Sequence, residues 1–323
     1  MEPTNTNRSV LLSSGYTMPI VGLGMFLSKD ENELDTAVTA ALEIGYRHFD
    51  TAFSYANEVF LGRTLKRVFS EKRIARENLF ITTKLPPNGL HPDNVEYFFR
   101  KSLEELQLEY IDLYLIHFPV AAKRTDDDYA IFPTTNGVFA GEDVDPLDTW
   151  KVLEDLVDKG LIRSIGLSNF NSEQVKRIYE AARIKPAVLQ VECHAYLPQY
   201  ELHDLCKELK IALTAYSPIG APGQQRDKEY ALISDPELKP LCEKYEKSPA
   251  QILLRYLVQR GIIVIPKSTN PKRLAENIQI FDFSLSDEDM EVMKSMGKNR
   301  RYFTFTSYKG LPDHPQYPFG IPF

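Results

Sequence analysis

Asp50, Tyr55, Lys84 and His117 stand at or just past the ends of three apolar, strand-like runs. Asp50 and Tyr55 follow Gly45-Tyr46-Arg47-His48-Phe49, Lys84 ends Leu79-Phe80-Ile81-Thr82-Thr83, and His117 ends Ile111-Asp112-Leu113-Tyr114-Leu115-Ile116. A phenol, an amine, a carboxylate and an imidazole together suit proton transfer to a carbonyl oxygen. A free phenol titrates near pH ~10, too weak an acid to help readily at neutrality. A neighbouring ammonium favours the phenolate and lowers that value. Tyr55 then reads as the acid, Lys84 as the charge that tunes it, and Asp50 as the group that holds the lysine. His117 reads as a hydrogen-bond donor that orients the substrate oxygen. Taken singly each residue has a bland explanation, since a lone histidine in an apolar run is more often a core residue. Their shared position at strand ends is what points to an enzyme.

Parallel strands closed into a barrel end on one rim, where active sites are built. Strand-like runs occur near 20–24, 46–50, 79–84, 110–117, 162–167, 188–192, 211–215 and 262–266. Helical patterns alternate with them: Glu31 to Ile44, Pro92 to Leu106, Pro146 to Lys159, Ser172 to Ala182, Gln199 to Lys210, Asp235 to Tyr245 and Ser248 to Arg260. Asn169 to Gln174 offers a polar helix start, and Ser248-Pro249 places a cap before a first-turn proline. No Gly-x-Gly-x-x-Gly separates a strand from a helix, which weighs against a Rossmann domain. The expectation is a (β/α)8 barrel filling residues 1–323 as a single domain. An N-terminal hairpin, Ser9 to Leu12 with Met18 to Ile20, precedes it. The segment Pro119 to Asp145, with Asp126-Asp127-Asp128 and Asn136-Gly137, reads as a long surface loop arching from strand four. The tail beyond Gly297 is rich in Phe, Tyr, Pro and Gly.

The remaining strand ends add polar and aromatic groups. Ser168, Asn169 and Gln190 can grip an amide, and Tyr216 can stack a flat ring; a nicotinamide has both features. Lys267-Ser268-Thr269 and Pro271-Lys272-Arg273 put cations and hydroxyls at a helix N-terminus, which favours a phosphate. Glu192-Cys193-His194 lacks another ligand at matching spacing, so no metal is expected. No Gly-x-Ser-x-Gly elbow occurs.

Composition bounds the rest. The 323 residues carry a net charge of −7, and no basic run is long enough for a nucleic-acid arm. Cys193, Cys206 and Cys242 are too scattered for a disulfide framework. Residues 1–8 lack the apolar stretch of a signal peptide, and no run reaches the ~18 apolar residues of a membrane helix. A cytoplasmic protein without nucleic-acid or membrane partners is the expectation.

These segments resemble the aldo-keto reductase family along nearly the whole chain. The resemblance rests on Gly45-Tyr46-Arg47-His48-Phe49-Asp50-Thr51-Ala52 with Tyr55 and Asn57-Glu58, and on Asp112-Leu113-Tyr114-Leu115-Ile116-His117. It continues through Gly166-Leu167-Ser168-Asn169-Phe170-Asn171, Gln190-Val191-Glu192-Cys193-His194 and Ile265-Pro266-Lys267-Ser268. It implies a barrel, usually monomeric, that binds NADPH across the rim and passes hydride to an aldehyde or ketone. It implies Tyr55 as proton donor, Asp50 and Lys84 as its activating pair, and His117 as the orienting histidine. Ser168, Asn169 and Gln190 match the carboxamide contacts, Tyr216 the stacking ring, and Ser217 and Ile219 part of the pyrophosphate-side loop. Lys267, Ser268 and Arg273 match contacts to the 2′-phosphate, and Glu276 and Asn277 those to the adenine.

The chain departs from the aldose-reductase-like pattern at the pocket. Phe26, Pro86 and Phe118 stand where tryptophans often line it, which implies a wider, differently shaped mouth. With Tyr302, Phe303, Phe305, Tyr308 and Phe319 in the tail, a hydrophobic or steroid-like ketone is expected as readily as a sugar aldehyde. The 119–145 loop, the 218–234 loop and the tail from Arg301 are expected to form mobile walls. Gly223 and Leu27 replace a common acid–lysine pair, so a looser cofactor clasp is expected. Two other readings compete. One is a non-catalytic, NADPH-binding regulatory or structural protein, against which the intact quartet argues. The other is a phosphate-binding barrel isomerase or aldolase, which leaves Ser168, Asn169, Gln190 and Tyr216 without a shared purpose.

Overall fold

The computed structural model describes residues 8–223 and 231–321. Eight parallel strands run in chain order around one sheet: Leu23–Gly24, His48–Asp50, Phe80–Leu85, Ile111–Ile116, Ile162–Ser168, Val188–Glu192, Ala212–Tyr216 and Ile263–Val264. Bridges from Val21 to Val264 and from Gly24 to Lys267 join the first strand to the eighth. Gly24 is required at that seam, because a Cβ there would lie 2.6 Å from the Ile265 carbonyl oxygen. The architecture is therefore a (β/α)8 barrel, whose C-terminal rim carries the loops that build active sites.

Local signals account for the helices that hold the strands in register. The helix Glu31–Ile44 starts on Asp30, whose carboxylate accepts the Glu33 amide hydrogen, and stops at Gly45 in the left-handed region (φ 116°). Its Leu34, Ala37, Val38 and Ala41 are buried, following the 3.6-residue period. Capping boxes open two more helices, Asn171 with Gln174 and Ser248 with Gln251. Three further helices, Glu58–Ser70, Pro271–Ile278 and Asp287–Ser295, complete the ring among the described residues. Two expected starts move inward, to Tyr200 and Leu238, since Gln199 is in the left-handed region and Asp235 to Glu237 form a turn.

The expected hairpin pairs Ser9–Leu11 with Thr17–Pro19. It closes the N-terminal end of the barrel: Leu12, Met18 and Ile20 are buried, and the Ser14 hydroxyl meets that of Ser164 at 2.7 Å. One barrel end is thus plugged, and chemistry is confined to the other.

The segment 119–145 is not a bare surface loop. It contains two short antiparallel ribbons, Ala121–Ala122 with Gly141–Glu142 and Thr134–Thr135 with Val138–Phe139. Its Val120, Ala122 and Phe139 join Phe118 and Leu311 in a second apolar cluster outside the main core, flanked by Phe132, Phe305, Tyr317 and Phe319. Loop and tail pack on one another through these aromatic side chains, which removes the apolar surface of both from water.

Candidate active site

A cleft of about 920 Å³ lies across the C-terminal rim. Asp50 ends the second strand, and Lys84 is the penultimate residue of the third. His117 follows the fourth directly, and Tyr55 ends a short 3-10 turn, Phe53–Tyr55. The register Asp50 to Thr82 and Lys84 to Leu115 fixes their relative heights. Lys84 Nζ donates to Asp50 Oδ1 at 2.6 Å and to the Thr51 carbonyl oxygen at 2.7 Å. Gln190 Nε2 donates to the other Asp50 oxygen at 2.8 Å. Lys84 Nζ lies 5.1 Å from the Tyr55 ring centre, and the Tyr55 and His117 rings are 5.7 Å apart and nearly perpendicular. All four predicted groups therefore converge, with the lysine and aspartate beneath the tyrosine.

The ion pair is almost wholly withdrawn from solvent, with side chains 0% and 2% exposed. Removing one partner of such a pair costs about 3–5 kcal/mol, because the other is left as an uncompensated buried charge. Burial pushes the Lys84 ammonium down from its ordinary range, and Asp50 opposes that shift. His117 is held well below the usual imidazole value by burial and by the Lys84 charge. Its Nδ1 meets the Ser54 hydroxyl at 3.1 Å, which leaves Nε2 for the cleft.

Tyr55 departs from expectation. Its phenol is raised well above the ordinary value, by burial first and then by the Asp50 carboxylate. Burial and the Asp50 carboxylate outweigh the pull of the neighbouring ammonium, so the net shift is upward where the sequence reading had it downward. Tyr55 stays protonated in the free cleft.

Polar groups from later strands sit alongside. Ser168, Asn169, Gln190, Tyr216, Ser217 and Ile219 all line the cleft. Asn169 has a left-handed backbone (φ 62°) directly after the fifth strand, a conformation tolerated by Asn more than by most residues. Its amide nitrogen donates to the His117 carbonyl oxygen at 2.9 Å, and its oxygen accepts the Tyr216 hydroxyl at 2.8 Å. Gln190 Oε1 has no partner among the described residues and faces the cleft.

At the far end lie Lys267, Ser268, Arg273, Glu276 and Asn277. Asn270 caps the helix Pro271–Ile278 by accepting the Lys272 and Arg273 amide hydrogens at 3.0 and 3.1 Å. Among the described residues neither Lys267 nor Arg273 has an ion-pair partner. Leu27 and Gly223 border the same space, and residues 224–230 of the 218–234 loop lie outside the described residues. The donor set suits a nicotinamide nucleotide: an amide oxygen and an aromatic face at one end, and at the other two cations with no ion-pair partner among the described residues.

The opposite wall is aromatic. Phe26 lies 5.1 Å from the Tyr55 ring, and Phe118, Phe132, Phe303, Phe305 and Tyr308 line the remainder. Two expected pocket residues do not. Pro86 is buried, and its neighbour Pro87 lines the cleft instead, because the chain turns into the 3-10 segment Pro87–Gly89 there. Tyr302 turns away, its ring 4.9 Å from His194 and its amide on Glu192. The sequence reading missed Ser54, Pro87, Ile131 and Phe132. Ser54 lay between two named residues, whereas the loop residues carried no periodic signal.

Residues 20–298 match the model of the "Aldo/keto reductase family". Aldo-keto reductase family 1 member A1 from Gallus gallus is 45% identical, with 97% of this chain and 98% of that protein aligned. The Homo sapiens protein of the same description is also 45% identical, over the same shares. The solved aldose reductase from Schistosoma japonicum superimposes with a TM-score of 0.90 at 41% identity, covering 98% of this chain and 99% of that one. With a family model and relatives matched along almost their whole length, the chain belongs to the aldo/keto reductase family, whose members are oxidoreductases acting on carbonyl groups with a nicotinamide cofactor.

Proposed function

We propose that the protein reduces aldehydes and ketones to alcohols with NADPH, with Tyr55 as proton donor. The observation that carries this is the Tyr55 hydroxyl: held protonated by burial, without a hydrogen-bond partner among the described residues, and facing the cleft beside His117 and the Lys84–Asp50 pair. When bound, NADPH supplies the hydride that reaches the carbonyl carbon. Gln190, Ser168 and Asn169 would hold the nicotinamide amide, and Tyr216 would carry the ring. Ser217 and Ile219 would border the pyrophosphate, Lys267, Ser268 and Arg273 would hold the 2′-phosphate, and Glu276 and Asn277 would meet the adenine.

Tyr55 and His117 grip the carbonyl oxygen. The Ser54 hydroxyl, donating to Nδ1, places the ring proton on Nε2, where it donates to that oxygen. As negative charge grows there, Tyr55 transfers its proton, and the phenolate left behind is stabilised by Lys84. Asp50 keeps Lys84 charged and in place through the step. Tyr55 recovers its proton from solvent.

The aromatic wall favours hydrophobic, including steroid-like, ketones. Phe26, Phe118 and Phe303 present apolar surface that desolvates such a substrate, at roughly 25 cal/mol per Å² buried. The same reading makes residues 1–323 one domain acting as a monomer in the cytoplasm. Among the described residues no helix is long and apolar enough to cross a membrane. NADPH absorbance should fall with an aromatic aldehyde and a steroid 3-ketone, faster per enzyme than with a short aldose. No consumption across such a panel rejects catalysis, and a sugar preference rejects the hydrophobic assignment.

A further inference from the structure

We propose that Glu192 is a positioning residue that sets the size of carbonyl the cleft accepts, by hanging the C-terminal tail on the sixth barrel strand. Glu192 ends that strand and is 0% exposed. Three donors fill its carboxylate. The Tyr302 amide reaches Oε1 at 2.7 Å, the Phe303 amide reaches Oε2 at 3.0 Å, and His194 Nε2 lies 3.0 Å from Oε1. His194 Nδ1 accepts the Leu197 amide hydrogen at 3.2 Å, so the ring proton sits on Nε2 and points at the carboxylate. The Glu192-Cys193-His194 cluster, which the sequence left without a function, is thus a backbone clamp.

Two successive amides on one carboxylate fix the direction of the chain as well as its distance. The side chains they carry then diverge. Tyr302 covers His194, while Phe303 enters the cleft with its ring 5.8 Å from that of Tyr216. Tyr216 lies opposite Glu192 in strand register and donates to Asn169, which in turn holds the His117 carbonyl. One buried carboxylate therefore places an apolar wall residue against the ring that faces the cofactor. Buried charge-assisted hydrogen bonds are strong and directional, so Phe303 keeps a fixed position while the cleft fills. Phe305 and Tyr308, two and five residues further, take their place in the cleft from the same anchor.

The inference rests on the carbonyl-reductase reading, and its test separates the two. Glu192→Gln puts an amide donor where the tail presents N–H groups. In the full chain with NADPH, KM for a two-ring aryl ketone should shift by about tenfold, while kcat for propionaldehyde stays within about threefold. Phe303→Ala should shift KM for the ketone by a similar factor, and the double variant should add nothing further to it. Equal losses on both substrates, or full additivity, would overturn the assignment. A measurement on the unaltered protein covers the case in which Glu192→Gln fails to fold: the Tyr302 and Phe303 amides should exchange slowly with deuterium, and rapid exchange rejects the clamp. If the unaltered protein reduces neither carbonyl, the functional reading fails while the exchange data still decide on the anchor.

Discussion

On one side of the cleft Lys84 and Gln190 both donate to Asp50 at 2.6 and 2.8 Å, Tyr216 donates to Asn169 at 2.8 Å, and the Asn169 backbone amide joins the two groups by donating to the Gln190 carbonyl oxygen at 3.0 Å. On the other side Phe118, Phe132, Phe305 and Phe319 meet through ring contacts, with centres 5.2 to 6.4 Å apart. The first wall is made of strand ends, whose positions follow from backbone register. The second comes mainly from a long loop and a tail that, among the described residues, share no ladder with the barrel. Hydrogen bonds are directional and fix atoms closely, whereas apolar packing fixes volume and leaves shape adjustable. Proton delivery needs the former, and tolerance of varied substrates needs the latter.

The largest expected effect tests the first wall. Tyr55→Phe should lower kcat by about 10²–10⁴-fold, the range for loss of a positioned acid. NADPH affinity, read by fluorescence titration, should stay within about threefold. An unchanged rate would take the acid role from Tyr55. At the cation end, Arg273→Ala should weaken NADPH by about 10–100-fold, the loss of a charge-assisted contact of 1.5–3 kcal/mol, and leave NADH nearly unaltered. A parallel loss for both nucleotides would place Arg273 elsewhere than on the 2′-phosphate.

Phe132→Ala addresses the second wall. Because Phe132 is only partly buried, KM for an aryl ketone should rise by about three- to tenfold, with kcat for a short aldehyde kept within about twofold. A matching fall in kcat for both substrates would show that the two walls are not separable.

The smallest effect concerns acid. His48 and His203 are buried, and burial holds both imidazoles down to about 4. Their ordinary value is 6.5, so between these limits the unfolded chain binds more protons than the folded one. Stability is then full above about pH 6.5 and declines as pH falls toward 4. Glu58, raised by burial to about 7, acts in the opposite sense and makes the decline shallower. Thermal melts at pH 7.5, 6 and 5 should show Tm falling in that order, and His203→Gln should flatten the trend. A Tm that rises with acid would contradict it.

Much of the first wall was legible in the chain because alternation of strand-like and helical patterns places strand ends without reference to distant residues. Asp50, Lys84, His117, Ser168, Gln190 and Tyr216 could each be assigned to a rim that way. The second wall was legible only as composition. Phe118, Phe303 and Phe305 are marked in it as aromatic, but of the expected Pro86 and Tyr302 neither lines the cleft, where Pro87 stands next to Pro86. A single turn reverses which neighbour faces the cleft, and no periodicity reports it.

The sequence alone determined the barrel, its rim and the identities of the groups that gather there, since these depend on local periodicity and on strand order. Tertiary structure decided the rest. It set the direction of the Tyr55 shift, because burial and the Asp50 charge together outweigh the pull of the neighbouring ammonium. It turned Glu192 into an anchor for a segment more than a hundred residues away, through hydrogen bonds that exist only once the tail has folded back. Solvent exclusion and long-range contacts belong to the folded chain, and no short window of residues contains them.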